Sequence, residues 1–188
     1  IMDAVADVVE SCTFGKLDVS KLPSFDLEYI FLKIRSKAVG EKVTLNLPFP
    51  GDENVKVPTK VDLSKVEVHM DEEHTNKIDL TDEVSVVMRY PTIKTFGGIK
   101  VTNLTADDAV EMTTRCIHQV INGVETFESM DLSKEDKTEF IENLTQDQFA
   151  KVQKFFTTMP KLSHTVTLTH PKTKKKAKYK LEGMQSFF

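Results

Sequence analysis

The sequence lacks tryptophan and has two cysteines, Cys12 and Cys116, which form neither a disulfide framework nor a CxxC pair. No apolar run approaches the roughly 20 residues of a membrane-spanning helix. The opening residues, IMDAVADVVESC, alternate acidic and aliphatic side chains and do not make a signal peptide. These absences predict reduced core thiols and an intracellular protein without a membrane segment.

Motifs of nucleotide binding and common catalysis are also missing. Neither GxxxxGK[ST] nor GxGxxG occurs, the stretch FGGIK has the spacing of neither and is interpreted as a flexible loop, and there is no GxSxG or HExxH. His69 and His74 flank the acidic run HMDEEH, but a loop between strands lacks the fixed geometry of a metal site. We therefore predict no catalytic residue, no cofactor and no metal ligand.

What the chain does contain is typical of one globular domain. It has 188 residues, 39% hydrophobic and 29% charged, with 12 phenylalanines as large apolar anchors. This length suits a single domain with its own core, so we predict one domain over residues 1–188. The formal net charge of −4 argues against a general nucleic-acid binder, which needs a positive face.

Helical periodicity marks the first forty residues. Ile1, Val5, Val8, Val9 and Cys12 share one helical face and predict the last turns of a helix that ends near Gly15. A second helix is predicted between Pro23 and Gly40. Its main apolar stripe is formed by Leu27, Ile30, Phe31, Ile34 and Ala38.

The period changes to two between Val43 and Pro91. VTLNLPF and VKVPTKVDL predict a hairpin around the turn PGDEN, over residues 43–63. VEVHM and EVSVVMRY are further strands, and the polar linker between them has room for a short strand. This half is predicted to be an antiparallel meander.

Helices return after the loop PTIKTFGGIKVTNL. Three capping boxes mark their starts, at Thr105 with Asp108, Ser133 with Asp136 and Thr145 with Gln148. The first of these helices is predicted to carry Cys116, Ile117 and Val120 and to end at the following Asn-Gly pair. A final hairpin spans about 163–182. The whole pattern predicts an α+β fold with about five helices.

A lysine-rich turn joins the last two strands. Six lysines lie in 172–180, without arginine, and Tyr179 is the aromatic residue beside them. Nucleic-acid grips usually interleave aromatics for stacking, whereas a lysine-only turn is typical of a solvated hairpin tip. The solvated tip is favoured, and a small nucleic-acid-binding module that uses this turn is the alternative.

A likeness to a known family is carried by four stretches in order. They are CTFGKLDVSKLPSFDLEYIFLKIRSKAVGE, DLSKVEVHMDEEHTNKIDLTDEVSVVMRYPT, FIENLTQDQFAKVQKFFTTMPKLSHTVTLTHP and LEGMQSFF. Together they resemble the baseplate hub proteins, or hub-assembly proteins, of T-even-like contractile-tailed bacteriophages. The resemblance implies a non-enzymatic role in phage tail morphogenesis. It places the chain in the host cytoplasm during assembly and leaves open its retention in the virion tail baseplate.

The resemblance also implies a zinc-ribbon-like hairpin near the C-terminus, with CPxC at its turn. His170 and Thr173 stand at those two cysteine positions here, and the hairpin NLPFPGDENVKV has no cysteine either. Threonine is not a zinc ligand, so a ribbon that has lost its metal is predicted. Members of the family have a further N-terminal segment, which fits a chain that begins here with Ile1; an internal start near Met2 fits as well.

Two apolar features are candidate partner-binding sites. Phe25, Tyr29 and Leu32 lie off the main stripe of the second helix, and Phe187 and Phe188 end the sequence. A helix that is apolar nearly all round needs a second packing partner, within its own domain or from another subunit. The partners expected are other phage hub or tail proteins, or a further copy of the chain, and neither nucleic acid nor membrane. The alternative is that these side chains fill the chain's own core.

Overall fold

The computed structural model describes residues 2–97 and 105–188, which form two compact units. The first unit consists of 2–19, 25–69 and 160–188, and the second of 20–24 and the described part of 70–159. Across the described residues there are five α-helices and nine antiparallel strands in three sheets, which confirms the α+β class. The single domain over 1–188 stays a prediction.

The first unit combines two helices with two small sheets. A two-stranded hairpin pairs β1 with β2, and a three-stranded sheet has the order β3-β8-β9. The elements are α1 (Met2–Cys12), α2 (Ser24–Val39), β1 (Lys42–Phe49), β2 (Asp52–Asp62), β3 (Glu67–His69), β8 (Lys161–Thr169) and β9 (Lys176–Glu182). Both hairpins predicted from alternation, about 43–63 and 163–182, are confirmed.

The apolar stripe of helix α2 is buried only in part. Leu27 is buried as predicted, but Ile30, Phe31 and Ile34 are only partly buried and Ala38 is exposed. The most deeply buried line instead runs through the off-stripe positions. It contains Phe25, Leu32 and Ser36. The main stripe is therefore not the more deeply buried face of α2, because hydrophobicity alone does not distinguish two apolar faces of one helix.

The second unit is an antiparallel meander covered by helices. Its four strands follow the chain in the order β4-β5-β6-β7. The elements are β4 (Lys77–Asp79), β5 (Val84–Met88), α3 (Ala106–Cys116), β6 (Ile117–Asn122), β7 (Glu125–Glu128), α4 (Lys134–Glu142) and α5 (Gln146–Thr158). Its core joins the inward side chains of the sheet to the helices and includes Val86, Ile117, Ile141, Val152 and Phe155.

All three predicted capping boxes are confirmed at the starts of α3, α4 and α5. At each start, the N-cap hydroxyl accepts a hydrogen bond from the N3 amide, and the N3 side chain accepts one from the N-cap amide. This pairing satisfies amide groups that the first turn of a helix leaves without partners.

Helix α3 is shorter than predicted. It ends at Cys116, four residues before Val120, and does not reach the Asn-Gly pair. The last part of the predicted helix is strand β6, which turns back at Gly123 into β7. Gly123 has a φ of 60°, the left-handed value that two-residue hairpin turns need at their first position. An Asn-Gly pair is compatible with a helix stop, but it is also a strong hairpin signal, and a hairpin forms here.

Two sequence predictions lie outside the described residues. They are the placement of Ile1 on the α1 face and the part of the predicted loop at 98–104, including most of GGIK. Within 2–97 and 105–188, no helix is both long enough and apolar enough to cross a membrane.

Candidate functional site

The five residues predicted to bind a partner differ in their exposure. Phe25, Leu32 and Phe187 are buried, with Leu32 and Phe187 fully enclosed, while Tyr29 is partly buried and Phe188 is 53% exposed. The ammonium of Lys33 lies 4.9 Å from the centre of the Tyr29 ring. Their role in docking stays a prediction. Phe25, Leu32 and Phe187 belong to the buried core, whereas Tyr29 and Phe188 reach solvent.

The end of the sequence is held against α2. A 3₁₀ turn at Met184–Phe187 buries Met184 and Phe187, and the carboxylate of Glu28 accepts a hydrogen bond from the Met184 amide at 3.3 Å. Burial raises the pKa of the Glu28 carboxyl, and the Met184 hydrogen bond opposes that rise. The hydrogen bond between Glu28 and Met184 fixes the start of this turn on α2, and Phe188 follows directly after the turn.

Phe188 lies over the exposed side of α2. Its ring centroid is 6.1 Å from that of Phe31, and the Arg35 guanidinium lies 4.8 Å from its ring centre in a cation–π contact. Ile30 and Ile34 neighbour Phe31 on the same helical face, and both are partly exposed. We call this set, Ile30, Phe31, Ile34 and Phe188, the α2–Phe188 surface.

The tips of the two hairpins of the first unit meet at His170. This histidine is 6% exposed, and its ring lies edge-on to Phe49 at a centroid distance of 5.0 Å. The amides of Lys172 and Thr173 donate to its Nδ1 at 3.1 and 3.2 Å. The proton of a neutral ring therefore sits on Nε2, which faces Asp52 Oδ2 at 3.5 Å.

The residues at these tips do not fit a structural zinc site. Zinc sites of this kind need four nitrogen or sulfur ligands, and the tips supply His170 and the carboxylate of Asp52. The Nδ1 lone pair of His170, which could bind a metal, already accepts hydrogen bonds from the amides of Lys172 and Thr173. Within the part of the chain that the structure describes, no group of three or more histidine, cysteine or acidic residues is placed to hold a metal ion.

The lysines of the C-terminal hairpin project from a solvent-exposed face. Three of them on β9 pair with threonines of β8, in the register Thr165↔Lys180, Thr167↔Lys178 and Thr169↔Lys176. All six side chains are exposed, whereas the opposite face buries Leu168 and Leu181. Tyr179 alternates with the lysines and so lies on the other face, where it cannot stack a base held by them.

Comparison with known proteins identifies the family. The family model described as T4 bacteriophage base plate protein matches residues 1–188. The chain belongs to that family. No curated protein and no solved structure matches the chain. The resemblance to a phage baseplate family is thus confirmed, and the chain is a bacteriophage baseplate component.

Sequence reasoning missed a polar cluster in the second unit of this baseplate protein. His74 Nδ1 lies 2.9 Å from Thr158 Oγ1, and His74 Nε2 lies 3.0 Å from the Tyr90 hydroxyl. Thr158 donates its own proton to the Lys154 carbonyl, so its oxygen accepts from Nδ1–H. The ring also packs against Phe155 at 5.2 Å. A neutral imidazole satisfies these contacts, and burial lowers the pKa of His74.

This cluster joins two distant parts of the second unit. It holds the loop before β4 against the end of α5, where the ammonium of Lys154 also pairs with Glu73 at 2.6 Å. The HMDEEH run that contains His74 has the sequence pattern of a loop between strands. No local signal in the sequence could have linked it to Thr158, because the two residues are 84 positions apart.

Proposed function

We propose that the chain is a non-enzymatic component of the phage baseplate hub, or a factor that helps the hub to assemble in the host cytoplasm, and that it acts through contacts with other hub or tail proteins. Membership of the base plate family over residues 1–188 supports the baseplate part of this proposal. The hairpin tip around His170 is, in this proposal, a ribbon-like tip held by hydrogen bonds and ring packing instead of zinc.

The observation that carries the contact mechanism is the α2–Phe188 surface. It combines partly exposed aliphatic side chains with two aromatic rings and the guanidinium of Arg35. Aromatic residues and arginine are enriched among the residues that contribute most to protein–protein binding. A cluster of this kind on one helix face is better accounted for by a protein partner than by solvent.

The geometry of the lysine-rich hairpin does not favour the nucleic-acid alternative. The exposed lysines of β9 share their face with threonines, and Tyr179 lies on the opposite face. Lys180 is also paired with Glu182 at 2.6 Å. Proteins that bind single-stranded nucleic acid combine positive charge with aromatic rings that stack on the bases, and this face has the charge without the ring.

The proposal is tested by capturing the tagged chain from infected cells and identifying the phage proteins that come with it. Phe188→Ala should reduce their recovery, because it removes the exposed ring of the surface. Phe14→Ala is the matched control, since Phe14 is 86% exposed and lies elsewhere in the chain. Recovery of no baseplate protein with the unsubstituted chain contradicts the proposal. The content of purified tails then decides whether the chain stays in the virion.

A further inference from the structure

A basic cleft of about 690 Å³ lies in the second unit. The residues before α2, those after β5, the C-terminal half of α3 and the N-terminal half of α4 surround it. Its cationic side chains are Lys21, Arg89, Lys94, Arg115, Lys134 and Lys137. The described lining contains one carboxylate, that of Glu111. This excess of positive charge is local, because the chain as a whole has a formal net charge of −4.

Glu111 demonstrates how the basic cleft holds a carboxylate. Its Oε1 accepts hydrogen bonds from Arg115 at 2.7 Å and from Lys134 at 3.2 Å. These two hydrogen bonds lower the pKa of the Glu111 carboxyl, that from Lys134 having the larger effect. An arginine beside a lysine is a strong arrangement for a carboxylate, since both hydrogen bonds are charge-assisted.

Three other cations of the cleft have no such carboxylate. Arg89 donates through Nε to the Arg115 carbonyl oxygen at 3.2 Å, and Lys137 donates to the Ser129 hydroxyl at 2.9 Å. In residues 2–97 and 105–188, no acidic side chain lies within salt-bridge distance of Arg89, Lys94 or Lys137. Their charge is therefore available to a carboxylate from outside the chain.

Part of the cleft wall is fixed before any ligand enters. The guanidinium of Arg115 donates to the carbonyl oxygens of Thr95 and Gly97 at 2.8 and 2.7 Å, and the Thr114 hydroxyl donates to the Val110 carbonyl. Held in this way, Arg115 and its partner Glu111 form a fixed part of the cleft lining.

The one aromatic ring in the described lining is not available for stacking. Tyr90 stacks on His74 and Phe155, each at a centroid distance of 5.6 Å, and its hydroxyl contacts His74 Nε2. Single-stranded nucleic acids are held by base stacking as well as by charge, so the chemistry here favours carboxylates over bases.

From this arrangement we propose that the basic cleft binds an acidic segment of another baseplate protein through two or more carboxylates at Arg89, Lys94 and Lys137. The inference rests on the proposed role in assembly, and it adds the chemistry of a second contact surface. The volume of the cleft, about 690 Å³, lies within the range of ligand-binding clefts. An anionic partner segment also balances the local charge.

The test uses the whole purified chain and a short oligoglutamate peptide, with oligoglutamine of equal length as the uncharged probe. We expect oligoglutamate to bind, oligoglutamine not to bind, and added salt to weaken the complex because the charges are exposed. Arg89→Gln with Lys137→Gln should weaken binding by about tenfold, since two charge-assisted contacts are lost. Circular dichroism checks that this variant folds.

A matched control removes charge from a different surface. Lys174→Ser, Lys175→Ser and Lys176→Ser take three exposed lysines from the C-terminal hairpin and should change binding by less than about twofold. The proposal is overturned if this control loses as much oligoglutamate binding as the Arg89→Gln and Lys137→Gln variant does. It is also overturned if oligoglutamine binds, or if oligothymidylate binds more tightly than oligoglutamate. Amide chemical-shift changes in the unsubstituted chain locate the peptide independently of any variant, and shifts confined to residues outside the cleft overturn it too.

The outcome is separable from that of the proposed function. If oligoglutamate does not bind, the proposal for the cleft is wrong. The assembly role is not contradicted by that result, because it is tested by capture from infected cells. Failure to recover any baseplate protein from infected cells ends the assembly role, even where the purified chain binds oligoglutamate.

Discussion

His170 and Asp52 bring the tips of two hairpins together although they lie 118 residues apart in the chain. Their contact, His170 Nε2 to Asp52 Oδ2 at 3.5 Å, is long for a hydrogen bond. The firmer interactions of His170 are the two amides donated to its Nδ1 and the edge of its ring against Phe49. The tip is thus held mainly by one buried imidazole.

Substituting His170 should therefore destabilise the first unit. His170→Ala removes the ring and leaves the amides of Lys172 and Thr173 without an acceptor, which we expect to lower the free energy of unfolding by about 2 kcal/mol. His170→Asn is the control, because an asparagine oxygen accepts from the same amides in an Asx turn and should restore about half of the loss. Urea unfolding of the three proteins measures this. Equal stability of His170→Ala and the unsubstituted chain contradicts the account of the tip.

Metal removal should have no effect on stability. The tips supply His170 and Asp52 where a structural zinc site needs four ligands, so elemental analysis should find well below one zinc ion per chain. Incubation with a chelator should leave the melting temperature unchanged. One zinc ion per chain, whose removal unfolds the protein, would show that the tips hold a metal after all.

Stability should decrease as the pH falls through the ordinary pKa of histidine. Burial lowers the pKa of His74 below the ordinary histidine value of about 6.5, and the charge of Asp71 opposes this. Between the two pKa values the unfolded chain binds more protons than the folded one, so the stabilisation present above pH 6.5 is progressively lost below it. His74→Gln should unfold with a weaker pH dependence over this window. An identical pH dependence in both proteins contradicts the assignment.

Two neighbouring positions on α2 should separate folding from docking. Leu32 is fully buried, so Leu32→Ala should cost about 3 kcal/mol and lower the yield of folded protein. Tyr29 is partly exposed beneath Lys33, so Tyr29→Ala should fold and affect mainly association. Thermal melts and capture from infected cells score the two effects separately. A Leu32→Ala protein as stable as the unsubstituted chain contradicts the burial described here.

The local features of the fold could be predicted from the sequence. Helix α2 is bounded by Pro23 and Gly40, and the three capping boxes locate the starts of the later helices. Both hairpins of the first unit follow from alternation around turn residues. These features depend on residues a few positions apart, and sequence periodicity and capping signals act over the same short distance.

Features that depend on distant residues could not be predicted. Strand β3 pairs with β8, far along the chain, and α2 buries Phe25 and Leu32 because of what packs on that side. Lys174 has a φ of 59°, a left-handed conformation that usually belongs to glycine or asparagine and that a lysine does not predict. The basic cleft collects its cations from four separate segments, whereas the sequence drew attention only to the adjacent lysines of 172–180.

The central claim is that this baseplate component works through the α2–Phe188 surface. The most direct test supplies phage lacking the gene with the unsubstituted chain, with the double variant Phe31→Ser and Phe188→Ser, or with the control Phe14→Ser. Complete baseplates are counted by electron microscopy at equal amounts of folded protein. The account predicts full assembly with the control and few complete baseplates with the double variant. Normal baseplates with the double variant would contradict it.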